Sequence, residues 1–208
     1  MVTQAQYRPV MGRQPSGFSP KGDLRERVSG LNTDDFPVEN VSWEDAMDFC
    51  QIVSLLPGVR SKGWVVDLPT EAEWEYACRA GTETAFHDGN SLSSEQANFN
   101  GNNPYGGAAK EQFLGRTTKV GSYAANAWGL YDLHGNVLQW CKDWYDQGYQ
   151  HRDKPEPSSR VVRGGKFDSH ARDCRAARRQ PADPARRAID TGFRVVVRLR
   201  EKRSLSPR

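Results

Sequence analysis

The amino-acid sequence predicts an α+β domain with two main helices, small antiparallel sheets and long loops. Three observations lead there. Two segments, at Ser42 and at Thr70, open on a capping hydroxyl and continue with apolar residues at helical spacing. Residues 193–199 alternate apolar and polar side chains, the period of a half-buried strand. Residues 86–120 carry Gly, Asn, Ser and Pro with little periodicity, and a stretch of that length in a compact domain implies a functional or ion-stapled loop.

In chain order, Thr3 caps a short helix to about Met11, after which Gly12, Pro15, Gly17, Pro20 and Gly22 impose a loop that lasts until Pro37. Ser42 stands three residues before Asp45, a variant of the capping box. Trp43, Ala46, Met47, Phe49, Cys50 and Val53 then form one apolar face of a helix that ends near Leu55. Thr70 and Glu73 make a full capping box, Trp74, Ala77 and Cys78 make an apolar stripe, and Gly81 stands where a helix stops. Short strands are expected at 137–140, 161–163 and 193–199. In the last, Phe193, Val195, Val197 and Leu199 form the expected buried face, opposite Arg194, Val196, Arg198 and Arg200. Residues 1–200 read as a single domain and 201–208 as a disordered tail, with no internal repeat.

At 208 residues the chain supports one domain with a full core. Its 37% apolar share is below the globular average, and six Trp and eight Phe compensate with large buried areas, which suits a loop-rich fold with an aromatic core. The net charge of +3 is small, and arginines scattered through the polar stretch after Arg160 read as solvated or paired, not as a nucleic-acid footprint. Cys50, Cys78, Cys141 and Cys174 are far apart and form no metal-binding pair, so free thiols are expected. No apolar run has the length of a membrane span and the first residues lack a secretory leader's pattern, which makes the cytoplasm the default location.

Four blocks carry a family resemblance: Pro37–Trp43 (PVENVSW), Leu68–Gly81 (LPTEAEWEYACRAG), Trp128–Val137 (WGLYDLHGNV), and Arg163–Phe167 (RGGKF) bracketed with Gly192–Val196 (GFRVV). In these blocks, and in their order, the chain resembles the formylglycine-generating-enzyme, or sulfatase-modifying factor, family across nearly its whole length. The resemblance implies that family's C-type-lectin-like fold. Val2–Tyr7 is similar to the family's first helix and not to the strand that normally precedes it, which implies a fragment or a replaced first strand.

The family's catalytic members are copper-dependent oxidases that convert a substrate cysteine to formylglycine. They carry two cysteines a few residues apart after an Arg-Gly-Gly-Ser turn, a pair that suits a cuprous ion. Here Ser169 stands about where the first cysteine falls, so Cys174 lacks a thiol partner and no copper is expected. A second branch uses three histidines on iron. His87, His134, His151 and His170 show no such spacing, no iron is expected, and His134 reads as a surface or hydrogen-bonded turn residue. An oxidase with an unusual active site stays as one alternative, and a regulatory or scaffolding module of a larger protein as another.

The resemblance also implies structural calcium in two loop sites. One takes Asp132, the carbonyls of Gly135 and Val137, and Gln139. The other takes Asn98, the Phe99 carbonyl, Glu111 and the Phe113 carbonyl. Ordinary turn formation accounts for Asn98 and its neighbouring asparagines equally well.

The remaining candidate is the bracketed segment, which in lectin-like folds of this kind forms an exposed, loop-built face. Some relatives are variable proteins of diversity-generating retroelements, in which asparagine codons of this segment are randomised at adenines. Every asparagine of the chain lies at or before Asn136. Phe167, Asp168, Ser169, His170, Asp173, Arg179, Ala182, Asp183, Arg187, Ala188, Ile189, Asp190 and Thr191 are each reachable from an AAC codon by adenine changes, and Lys166 is not. These residues are the expected ligand-binding set, within about 166–191. Their mixed aspartates and arginines suit a polar or charged partner, which the resemblance tilts toward a protein. Arg175, Arg178 and Arg194 are expected to be structural.

Overall fold

Each long helix begins where a side chain closes a capping box. The computed structural model describes residues 1–146 and 158–200. In it Thr3 caps α1 (Gln4–Met11) and Ser42 caps α2 (Trp43–Leu55). A single turn, α3 (Pro57–Arg60), follows, and Thr70 caps α4 (Glu71–Arg79). In all three boxes the hydroxyl accepts from the third helical N–H, and that residue's side chain accepts from the cap's own N–H. At the end of α4 the left-handed turn starts at Ala80, one residue before the glycine expected to carry it.

The strands are β1 (Trp64–Asp67), β2 (Leu138–Trp144), β3 (Arg160–Arg163), β4 (Arg179–Ala182), β5 (Thr191–Gly192) and β6 (Val196–Leu199). They form a four-stranded sheet in the order β4-β3-β2-β5 and a separate two-stranded sheet, β1-β6. The expected final strand 193–199 is therefore two strands. Up to Gly192 the chain runs parallel to β2, with Leu138 opposite Thr191, and from Val196 it runs antiparallel to β1. Between them Phe193 drops into the core and Arg194 turns to the carbonyls of Tyr131 and Asp132. The expected buried face is realised at Phe193 and lost at Val197 and Leu199, which are exposed. Beyond β1, the pieces that went unforeseen are the polar strand β4, the single turn α3, and 3-10 turns at Arg25–Val28 and Ala171–Cys174.

The core is aromatic, as the composition suggests. Tyr7, Phe49 and Phe193 meet at ring separations of 5.3–6.3 Å, beside Trp140. All four cysteines are buried free thiols. Among the described residues no helix is long and apolar enough to cross a membrane. The tail expectation at 201–208, and His151, lie outside the described residues.

One charged side chain sits at the centre. Arg163, at the end of β3, is buried, and it donates to Glu71 (2.7 Å) and Glu75 (2.5 Å) of α4 and to the carbonyl of Ala176 (2.6 Å). Its guanidinium lies 5.2 Å from the centre of the Trp74 ring. Arg163→Ala is expected to cost about 3 kcal/mol in urea unfolding, because it strands the Ala176 carbonyl and empties the space against Trp74. Glu75→Gln, at a half-exposed partner, should cost about 1 kcal/mol.

Candidate functional site

The loop face grows from the end of β3. Gly164 and Gly165 both have positive φ (96° and 75°), and a Cβ on Gly165 would stand 2.5 Å from the Cys174 sulfur, so the turn requires glycine there. The turn sends Phe167 inward, where its N–H donates to the Asn136 carbonyl (2.9 Å) and its ring meets Phe18 edge-on at 5.3 Å. Ser169 closes the next turn, its hydroxyl accepting from Lys166 N–H (3.1 Å). Residues 100 and 103 then hold the backbone at Ser169 and Ala171. After β4, Asp183 accepts from Ala185 N–H (2.8 Å), Pro184 accepts from Trp43 N–H and Ala188 from Asn40 N–H, fastening the return loop to α2.

The thirteen expected ligand residues divide by exposure. Asp168, His170, Asp183 and Arg187 stand exposed, and Asp173, Arg179, Ala188 and Ile189 are partly covered. Phe167, Ser169, Ala182, Asp190 and Thr191 are buried, which corrects their place in the set. Phe167 is core, Ala182 lies in the edge strand packed on the main core, and Asp190 takes Lys166 (2.7 Å), Arg186 (2.8 Å) and the Thr191 hydroxyl (2.8 Å). Arg179 is also structural, gripping both oxygens of Glu71. Arg187 forks onto Asp45, which it shares with Arg13.

The sequence reading missed the contribution of residues 12–24 to this face. Gly17 packs on Ile189, and Glu39 lies fully buried beneath them with one carboxyl oxygen accepting from Phe18 N–H (2.9 Å) and the other without a partner. Burial, with Asp190 nearby, pushes Glu39 up to about 8. Its only signal in the sequence is an acid set among Phe36, Val38 and Val41.

His134 is buried and not on the surface. Its Nε2 accepts from His87 N–H (3.1 Å), so Nδ1 carries the proton and donates to the Cys174 carbonyl (2.6 Å). Burial lowers it to about 4, which makes it a neutral structural brace. Cys174 itself lies sealed under Gly165, and burial raises its thiol.

The two calcium sets differ in fit. At the first, the oxygen of Gln139 accepts from Trp74 and Arg194, and Arg194 also donates to the carbonyls of Tyr131 (2.9 Å) and Asp132 (3.2 Å). A guanidinium thus stands among the acceptors at Gln139 and Asp132, and the Asp132 carboxylate takes Gly121 N–H (2.7 Å). That set does not suit a divalent ion. At the second, Asn98 Oδ1, Glu111 Oε2 and Ser94 Oγ are buried oxygens with no partner. Gly101 ties the two segments together, its carbonyl accepting from Glu111 N–H (3.0 Å), in a space where a Cβ would meet Ser94 and the Glu111 carbonyl. Unpartnered oxygens of this kind, with the Phe99 and Phe113 carbonyls alongside in sequence, suit a hard, oxygen-seeking cation. Among the described residues no three His, Cys, Asp or Glu side chains gather as for a metal.

A braced turn, two small sheets and a loop-built face define a C-type-lectin-like domain. The profile of the sulfatase-modifying factor enzyme 1-like domain matches residues 1–199, and the chain belongs to that family. It is 30% identical over 232 residues to chaperone protein LppX of Paenibacillus barcinonensis, covering 94% of this chain and 77% of that one. It is 33% identical over 181 residues to the formylglycine-generating enzyme of Bos taurus, covering 80% of this chain and 45% of the enzyme. The chain thus spans less than half of that enzyme's length. Treponema denticola variable protein 1 has the same fold, with a TM-score of 0.74 at 27% identity, covering 95% of this chain and 82% of that one.

Glu39 makes stability depend on pH. The unfolded chain releases this proton in the ordinary carboxyl range, and the folded chain holds it until about 8. Stability should therefore be full at the acid end, fall by up to about 1.4 kcal/mol per pH unit between those limits, and level off above them. Urea midpoints measured across that range should show the slope in the native protein and lose it in Glu39→Gln.

Proposed function

We propose that the chain is a non-catalytic ligand-binding domain whose loop face, centred on Asp168, His170, Asp183 and Arg187, engages a protein partner. One observation carries the reading: these side chains stand exposed on a backbone fixed from beneath by the Gly164-Gly165 turn, Phe167 on Phe18, and Asp190 with its three donors. A rigid frame with replaceable polar tips is how loop-built binding sites are made. The exposed four are all within reach of adenine mutagenesis from AAC, and the likeness to a variable protein supports retroelement diversification of this face. A chaperone, the named role of one relative, also acts on proteins. Against an oxidase of the formylglycine type stands the sealed, unpaired thiol of Cys174.

Calcium belongs to this reading as a staple at Asn98, Glu111 and the carbonyls of Phe99 and Phe113. It would hold the loop beneath Ser169, to which Asn100 is bonded.

Alanine at Asp168 or His170 should leave stability within about 0.5 kcal/mol, while Phe167→Ala should cost about 3 kcal/mol or more. If the exposed variants unfold the domain, the face is structural and the reading fails. Aldehyde formation on a cysteine peptide in the presence of copper would also overturn it.

In thermal melts, calcium should raise the midpoint and EDTA should lower it. Asn98→Ala and Glu111→Gln should abolish the response, and Asp132→Asn should keep it.

A further inference from the structure

We propose that Arg172, Arg175 and Arg178 form a docking surface for clustered carboxylates of a partner protein, an acidic segment that meets the three guanidiniums together. The inference rests on the ligand-binding reading above and deepens it by naming the chemistry of the partner. The three arginines lie on one short stretch, the 3-10 turn Ala171–Cys174 and the four residues after it, and that stretch is pinned from several sides. Ala171 N–H donates to the Asn103 carbonyl (3.0 Å), Asp173 N–H to that of His170 (2.9 Å) and Ala176 N–H to that of Ala85 (2.8 Å). Arg178 N–H closes a turn on the Arg175 carbonyl (2.9 Å), and His134 holds the Cys174 carbonyl (2.6 Å). The arginines therefore leave a backbone that is already fixed, which lowers the ordering cost of binding.

Their guanidiniums are held by Nε. Arg175 Nε donates to the Arg172 carbonyl (2.8 Å), and its guanidinium stands over the Tyr105 ring, 5.9 Å from the centre. Nε is also the nitrogen that Arg178 (3.2 Å) and Arg172 (3.7 Å) turn to the two carboxylate oxygens of Asp173. Among the described residues the terminal nitrogens of all three make no hydrogen bond. A guanidinium fixed in this way keeps its pair of terminal N–H groups, the fork that grips a carboxylate through both oxygens. Arg172 is 68% and Arg178 45% exposed, so both side chains stand in solvent, and Arg178 is not the structural arginine that the sequence suggested.

Charge selects the occupant. Three cations share the single carboxylate of Asp173, and three minus one leaves two positive charges on residues 172–178. A nucleic acid would bring its phosphates past Asp168 and Asp183, both exposed on the same loop face, and the chain as a whole carries only +3. A protein segment places a few carboxylates where the forks are and avoids those aspartates.

The test is nitrogen-15 NMR of the protein with a synthetic peptide of alternating Glu and Gly, with the Gln counterpart of that peptide and a thymidine oligonucleotide as controls. The Glu peptide should give saturable shifts centred on residues 170–178 and on Tyr105, weakened by salt. Arg172→Ala with Arg178→Ala should weaken binding about tenfold, and Asp173→Asn, which removes the competing carboxylate, should strengthen it about threefold. A merely structural role for the arginines would not give the second result. No saturable shift, equal binding of the Gln peptide, tighter binding of the oligonucleotide, or unchanged binding in both variants overturns the proposal. Such a failure leaves the wider reading intact, since that is tested at Asp168, His170 and Phe167 and by the copper assay, none of which involves these arginines.

Discussion

The structure depends on how the Arg163 guanidinium is satisfied. A charge buried this deeply is costly unless its donors find acceptors; Nε has none, and the two terminal nitrogens find theirs in two different parts of the chain: Glu71 and Glu75 on α4, and the Ala176 carbonyl ahead of β4. Helix, sheet and the segment before β4 are thereby fixed to one point. Glu71 is drawn further into the network by Arg179, which grips both its oxygens from β4. It also stands in the first turn of α4, where the helix dipole favours a carboxylate. The pairing need not add much net stability over a well-packed apolar isostere. Its consequence is geometric, since planar fork and paired acceptors admit few arrangements.

Immediately after Arg163 the chain enters the Gly164-Gly165 turn, so the loop face inherits the position of that anchor. The charges beyond it fall into two populations. Asp190 and Asp45 are sunk and fully engaged, one by Lys166 and Arg186, the other by Arg13 and Arg187. Among the described residues the Asp168 carboxylate pairs only with Lys166, at 3.3 Å, and the His170 side chain has no bonded partner. The frame therefore uses a fixed set of charges, Arg187 among them, and leaves Asp168 and His170 outside it.

Much of this was legible locally and less of it at a distance. The three capping boxes lie within four residues each, so Thr3, Ser42 and Thr70 announced their helices in the sequence. Residues 166–191 read from sequence as one loop-built segment, yet which of them point inward depends on partners far along the chain. Phe167 is buried because Phe18 meets it, and Thr191 because the segment runs beside β2. His134 read as a turn residue because nothing nearby foretells the His87 N–H and Cys174 carbonyl that hold it. The period of 193–199 was real, but an alternation says only that one face differs from the other. It cannot say that the strand will change sheets midway and leave Val197 and Leu199 uncovered.

The edges of the two sheets are managed by different means. β4 is a polar edge carrying Pro181, which cannot donate to an added strand. β5 is two residues long and buried. At β1, Val66 is capped by a hydroxyl from α2. At β6 the Val197 and Leu199 side chains are exposed, and just ahead of that strand the Phe193 carbonyl is taken by Val2 N–H. The loop face hides its backbone and displays side chains, so under the proposed function it discriminates by side-chain chemistry.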